Sequence, residues 1–114
     1  METATCLESA GAVVLAATSD GPYLAVLHRR QPEEWRLPKG KLKRGESHRQ
    51  AAQREVSEEL GVEVPLGERL GETQYCYTQR GMQFRKKVVF YLASLPAPVD
   101  LTPEERGFDE ARWV

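Results

Sequence analysis

The stretch SHRQAAQREVSEELG, residues 47–61, limits the fold of this 114-residue chain more than any other part of it. Ser47 and Gln50 form a capping-box pair, and Gly61 supplies a stop after Leu60. Between them Ala52, Val56 and Leu60 fall on one apolar stripe, so the spacing predicts a helix packed by one side on the body of the protein. No other segment carries such a complete helical signal. Before it, GAVVLAA (11–17) and YLAVLHRR (23–30) read as strands of a hairpin, with a turn signal in SDGP (19–22) between them. The run QPEEWRLPKGKLKRG (31–45) lacks periodicity and reads as loop with a short extended piece, Pro38 pushing Leu37 toward extended geometry. After the helix, VEVPLGERLGETQYCYT reads as strand broken by glycines, QRGMQ as a turn, and KKVVFYLASL as a buried strand. PAPVDLTPEERG is loop, and DEARWV is the start of a last strand. One helix among strands, without repeats or linkers, predicts a single domain over 1–114 of α+β or mixed α/β class.

The same helix raises a chemical question. Glu55, Glu58 and Glu59 lie at i, i+3 and i+4, so a helix crowds three carboxylates onto one side, largely off the apolar stripe. A solvated charged face is the ordinary reading of such a run. Two features weigh against it. Few cations offset the acids, since Arg54 is adjacent to Glu55 and cannot lie beneath all three, and the segment leading in is dense with Lys39, Gly40, Lys41, Lys43, Arg44 and Gly45. Crowded carboxylates raise one another's proton affinity unless a cation sits among them. A hard divalent ion with oxygen ligands answers that need, and magnesium binds carboxylates together with substrate phosphates. Lysines and loop amides suit the phosphate side of such a complex, which points to phosphoryl or nucleotidyl transfer.

From Gly40 to Val62 the chain reads GKLKRGESHRQAAQREVSEELGV. It resembles the Nudix hydrolase signature, with Gly40, Glu46, Arg54, Glu55, Val56, Glu58, Glu59, Gly61 and Val62 at all nine defined positions. From average residue usage, a chance match is on the order of 10⁻⁸. The resemblance implies an α/β/α sandwich around a mixed sheet. It also implies hydrolysis of a nucleoside diphosphate linked to another group, with Mg2+ or Mn2+. Carried over, Glu55, Glu58 and Glu59 are expected metal ligands, and either Glu58 or Glu55 activates water. Arg54 is expected to hold Glu55 by an ion pair, and Glu46 to support the loop or reach a metal through water. Gly40 is expected to contribute its backbone at a tight turn, with Lys39 offering a carbonyl or a phosphate contact and Lys41 beside it on the substrate side. Members of the family draw a further carboxylate from a late loop; of Glu104, Glu105, Asp109 and Glu110, Glu105 is the choice here.

Substrate is read from outside the signature. WRLPKGK resembles members acting on diadenosine or diphosphoinositol polyphosphates, whereas enzymes that cleanse modified nucleoside triphosphates more often carry PGG. An added lysine favours longer, more anionic phosphate chains. Tyr75 and Tyr77 lie near the position where dinucleoside polyphosphate hydrolases carry a tyrosine, and with Trp35 and Phe84 they are candidates for stacking on a base or for strand packing. Arg29, Arg30, Arg85, Lys86 and Lys87 extend the basic lining or simply occupy exposed strand ends. A nucleotide-sensing module without catalysis is the alternative from another class, although the glutamates are intact.

Net charge is −1, so no field announces nucleic acid or an anionic membrane as partner. Apolar runs fall short of a membrane span, and the two cysteines, Cys6 and Cys76, suit a reducing cytoplasm, with Cys76 expected as a small buried residue. His28 and His48 have no partner at ligand spacing. The family's fold ends on a second long helix, and this sequence stops at ARWV where that helix would begin, so the expectation is a homodimer or marginal stability.

Overall fold

The computed structural model describes residues 4–30, 33–103 and 108–114. Strand β1 (Thr5–Thr18) turns at Ser19 and Asp20 into β2 (Gly21–Arg30), which confirms the hairpin and starts it earlier than the apolar run implied. The run at 31–45, read as loop, contains two short strands, β3 (Glu33–Arg36) and β4 (Lys39–Lys41). Strands of four and three residues carry no periodic signal, and each is held by a distant partner. Helix α1 (His48–Leu60) follows, then β5 (Leu66–Gln79), β6 (Met82–Leu95) and β7 (Glu110–Trp113).

Caps fix the ends of α1. The Gln50 amide N–H donates to the Ser47 hydroxyl, and the Gln50 side chain accepts from the Ser47 amide. Gly61 adopts φ 71°, left-handed geometry that an L side chain resists. A Cβ there would also lie 1.7 Å from the Thr102 carbonyl oxygen, because the segment after β6 returns across this end and the Thr102 amide donates to the Leu60 carbonyl.

The strands form one seven-stranded mixed sheet in the order β3-β2-β1-β6-β5, with β4 also on β1 and β7 also on β2. β1 runs parallel to β6 from Thr5↔Phe84 to Ala16↔Leu95. Its other edge is divided: Ser9–Gly11 pairs with β4, and Leu15–Thr18 pairs with β2. β5 and β6 form a long hairpin closed by Arg80 (φ 52°) and Gly81 (φ 74°), the paired positive φ values that match strand twist in a two-residue turn. Register shifts between Leu66 and Gly71 interrupt β5 where the sequence places its glycines.

Alternation along β1 sends Ala10, Ala12, Val14 and Ala16 to the side covered by α1, each at most 1% exposed. Ala10 packs with Ala51, Ala52, Val89 and Tyr91, and Ala12 and Val14 pack with Val56, Leu60 and Ala93. The many alanines bring α1 close to the sheet. Ser9, Gly11, Val13 and Leu15 point to the opposite face, which carries no helix among the described residues. No helix of the described residues is long and apolar enough to cross a membrane.

Candidate metal and phosphate site

Arg54 gathers the carboxylates. Its Nε and Nη2 each donate to Glu46 at 2.8 Å, a bidentate pair, and Nη2 also donates to the Lys41 carbonyl at 3.0 Å. Its Nη1 donates to Glu55 at 2.6 Å and lies 3.6 Å from Glu58. One guanidinium therefore serves both Glu55 and Glu58, more than adjacency in sequence implied. Glu46 also accepts from the Lys43 amide at 2.7 Å, which ties the loop before α1 to the same arginine. These bonds, the Arg54 pair first and the Lys43 amide second, hold the Glu46 carboxyl down at about 2. In return Arg54 holds its proton more tightly than usual, through Glu46 first and then Glu55.

Gly40 meets this cluster from the sheet. It lies within β4, paired with Ala10, and not at a tight turn. Its need for glycine is close approach: a Cβ would fall 2.1–2.5 Å from the Glu55 carboxyl atoms. The carboxylates were expected largely off the apolar stripe, and Glu59 is the one that turns inward. It is 5% exposed, and its Oε1 accepts from the Lys39 amide at 2.7 Å, an exchange that satisfies two groups removed from water together.

The structure thus draws Glu46, Arg54, Glu55, Glu58, Gly40 and the Lys41 backbone together and places Glu59 on the Lys39 amide. Glu104 and Glu105 lie outside the described residues. Asp109 pairs with His28 and Arg30, and Glu110 with Arg112. Among the described residues no three His, Cys, Asp or Glu side chains converge as a metal cage. The donor set nevertheless suits a hard divalent cation, because the carboxylates and the Gly40 carbonyl are oxygen donors, and the absence of a side chain on Gly40 lets the Glu55 carboxylate lie against its backbone.

A second group of charges lies on the sheet face away from α1. Burial, then Lys86 and Arg36, lower the Lys39 ammonium to about 8, with Glu59 acting in the opposite sense. Lys86 is half-buried in the body of β6, not at an exposed strand end. Composition placed it in a basic run; only the register of β6 could show which lysine shares a face with Lys39. Tyr75 stands opposite Lys86, and Tyr77 opposite Phe84. Their rings make a row, 6.0 Å from Tyr75 to Tyr77 and 5.2 Å from Tyr77 to Phe84. Trp35 instead packs tilted against His28, ring centroids 4.4 Å apart and planes 39° from parallel, with Arg112 over its ring. His48 bonds Glu8 at 3.0 Å. Cys76 is exposed, as is Cys6 near the start of β1, since the β5 hairpin strand extends past the cover of α1.

The family model described as NUDIX domain matches residues 7–114. The 8-oxo-(d)GTP phosphatase of Mycolicibacterium smegmatis is 38% identical over 91 residues, 80% of this chain and 26% of that protein. The RNA pyrophosphohydrolase of Rhodospirillum rubrum is 28% identical over 116 residues, 91% of this chain and 70% of that protein. Among solved structures, the C. elegans Ap4A hydrolase binary complex superposes with a TM-score of 0.76 at 26% identity, covering 94% of this chain and 78% of that one. The chain spans 26%, 45% and 48% of the lengths of three mycobacterial relatives.

Proposed function

The chain belongs to the NUDIX domain family, and from that premise we propose that it is a pyrophosphohydrolase acting on a dinucleoside polyphosphate of the Ap4A kind. The observation that carries this reading is the carboxylate bundle on Arg54, set against the bare backbone of Gly40 and flanked by Lys39. Glu55, Glu58, Glu59, the Gly40 carbonyl and Glu105 would hold Mg2+ or Mn2+, which offsets phosphate charge and acidifies water. Glu58 or Glu55 takes the proton of the attacking water. The water oxygen bonds to phosphorus, the anhydride P–O bond breaks, and its electron pair leaves with the departing phosphate. Arg54 keeps Glu55 aimed, and Glu46 keeps Arg54 in place. Lys39 and Lys41 oppose the phosphate charge, and Tyr75 and Tyr77 stack on a base.

A second reading, hydrolysis of a modified nucleoside triphosphate, draws support from the identity with the M. smegmatis protein. A magnesium-dependent panel of dinucleoside polyphosphates, modified triphosphates, ADP-ribose and sugar nucleotides, with products identified, separates the two. The expected result is the highest kcat/KM on a dinucleoside tetraphosphate. Preference for a modified triphosphate moves the assignment to the second reading, and no turnover by folded protein leaves a nucleotide-sensing module. Glu58→Gln is expected to lower kcat by about 10²-fold or more; unchanged activity and magnesium binding would remove Glu58 from the site.

A further inference from the structure

Strand β5 stands at one end of the sheet order and, among the described residues, pairs with β6 alone. An edge strand presents unpaired N–H and C=O groups, and natural edges are guarded by charge, proline, a bulge or short length. The opposite end, β3, is guarded in this way, with Glu33, Glu34 and Arg36 in a four-residue strand. β5 is guarded over one half only. Its register shifts lie between Leu66 and Gly71, and from Gly71 to Gln79 the ladder with β6 is unbroken. The stretch from Thr73 to Gln79 carries no charged residue and no proline, and Tyr75 is 48% exposed. Gln79 and Met82 close the two-residue turn on each other, which fixes the alternation behind it. Thr73, Tyr75 and Tyr77 then turn their amide and carbonyl toward β6, and Glu72, Gln74, Cys76 and Thr78 turn theirs to the open edge.

Paired about a two-fold axis through Cys76, this edge is complementary to itself. Tyr75 falls opposite Tyr77 of the second copy, twice by symmetry, which continues the Tyr75–Tyr77–Phe84 row of rings across the seam. Gln74 falls opposite Thr78, Thr73 opposite Gln79, and Glu72 meets Arg80, the exposed residue of the turn. No like charges oppose each other. Centring the pairing on Tyr75 instead draws in Gly71, beside the register shift, and sets exposed Leu70 against Arg80. Centring it on Tyr77 shortens the ladder at the turn.

We propose that the chain forms a homodimer by antiparallel addition of β5 to β5 of a second copy, centred on Cys76, so that one mixed sheet runs through both. The homodimer expected from an uncovered sheet face is thereby assigned to a strand edge. That edge is separated from Gly40 and the Arg54 carboxylates by β1 and β6, and the assignment does not depend on the pyrophosphohydrolase reading.

Sedimentation equilibrium of the whole chain under a thiol reductant, which removes any Cys76 disulfide, tests this. The wild type is expected to be a concentration-dependent dimer. Gln74 and Thr78 lie four residues apart on one strand, about 13 Å, too far to pair within a chain, yet they oppose each other across the axis. Gln74→Glu with Thr78→Glu sets like charges against each other at the seam and is expected to raise the dimer dissociation constant about tenfold or more. Gln74→Glu with Thr78→Lys sets opposite charges at the same positions and is expected to stay within about threefold of wild type. Raising the wild-type concentration is expected to slow hydrogen exchange at the amides of Gln74, Cys76 and Thr78 and to leave those of Thr73, Tyr75 and Tyr77 unchanged. A monomer at every concentration would overturn the proposal and leave the edge to a strand of another protein. Equal effects of the two double variants, whether both weaken the dimer or neither does, would overturn it as well. Melting curves of the variants confirm that each is folded.

Discussion

At the scale of single residues, Arg54 is the hinge of the site, because its geometry is a fork and not merely a charge. Lysine keeps the charge but cannot bind Glu46 at two points while reaching Glu55 and the Lys41 carbonyl. Arg54→Lys is therefore expected to lower stability by about 1–3 kcal/mol in urea unfolding. Glu46 gives a pH signature. Its carboxyl titrates at about 2 in the folded chain against an ordinary value of 4.5, so the unfolded chain takes up the proton first as pH falls. The stabilisation is complete above about 4.5 and is lost as pH drops toward 2. Glu46→Gln should flatten the loss of stability across that window; an unchanged slope would show that Glu46 is not held by Arg54 in solution. The pairing of Arg54 with Glu55 came from the resemblance to the signature and not from their adjacency, because neighbouring residues on a helix do not face each other. The burial of Glu59 was not open to inference, because it depends on the amide of Lys39 arriving from a strand that has no sequence signature of its own. Gly40 was legible as necessary and misread as to why. A sequence cannot distinguish a glycine needed for its φ from one needed for what presses against it.

At the scale of elements, α1 was readable to the residue, since its caps and its apolar stripe are local. Ser47→Ala is expected to cost about 1 kcal/mol. Gly61→Ala is expected to cost more than the roughly 1–2 kcal/mol of left-handed strain alone, because the Thr102 carbonyl occupies the space of the new methyl. Chemical denaturation measures both, and Gly61→Ala no worse than Ser47→Ala would show that the 96–103 segment yields freely. β3 and β4 were hidden for the opposite reason. Their existence is decided by β2 and β1, and nothing within four or three residues records a partner. Strands β5 and β6 were recognised, but how far they reach past the helix was not. That reach leaves Cys76 exposed where its aromatic neighbours argued for burial.

At the scale of the molecule, the Cα extents of 55 × 31 × 23 Å describe an elongated body whose radius of gyration, 15.1 Å, exceeds the roughly 13 Å usual for this length. The long β5–β6 hairpin accounts for the shape, with β5 largely exposed while Val88, Val89, Tyr91 and Ala93 of β6 lie in the core. Hydrogen exchange should show this division, with amides near Arg80 and Gly81 exchanging well ahead of those in Ala10–Ala16. Uniform protection along the hairpin would mean that its end is covered in solution. A mixed sheet with one helix was foreseeable from the order of segments; the parallel pairing of β1 with β6 was not, because nothing in either strand names a partner so distant. That pairing has a kinetic consequence. β1 is made first, yet its longest edge closes only on β6, with Thr5 meeting Phe84 and Ala16 meeting Leu95. Until β6 has left the ribosome, the alanine-lined centre of β1 and the apolar side of α1 share an unfinished core. The hairpin and helix can form early, but the last strand of the core sets the pace, and folding of this small domain is expected to be slow for its size.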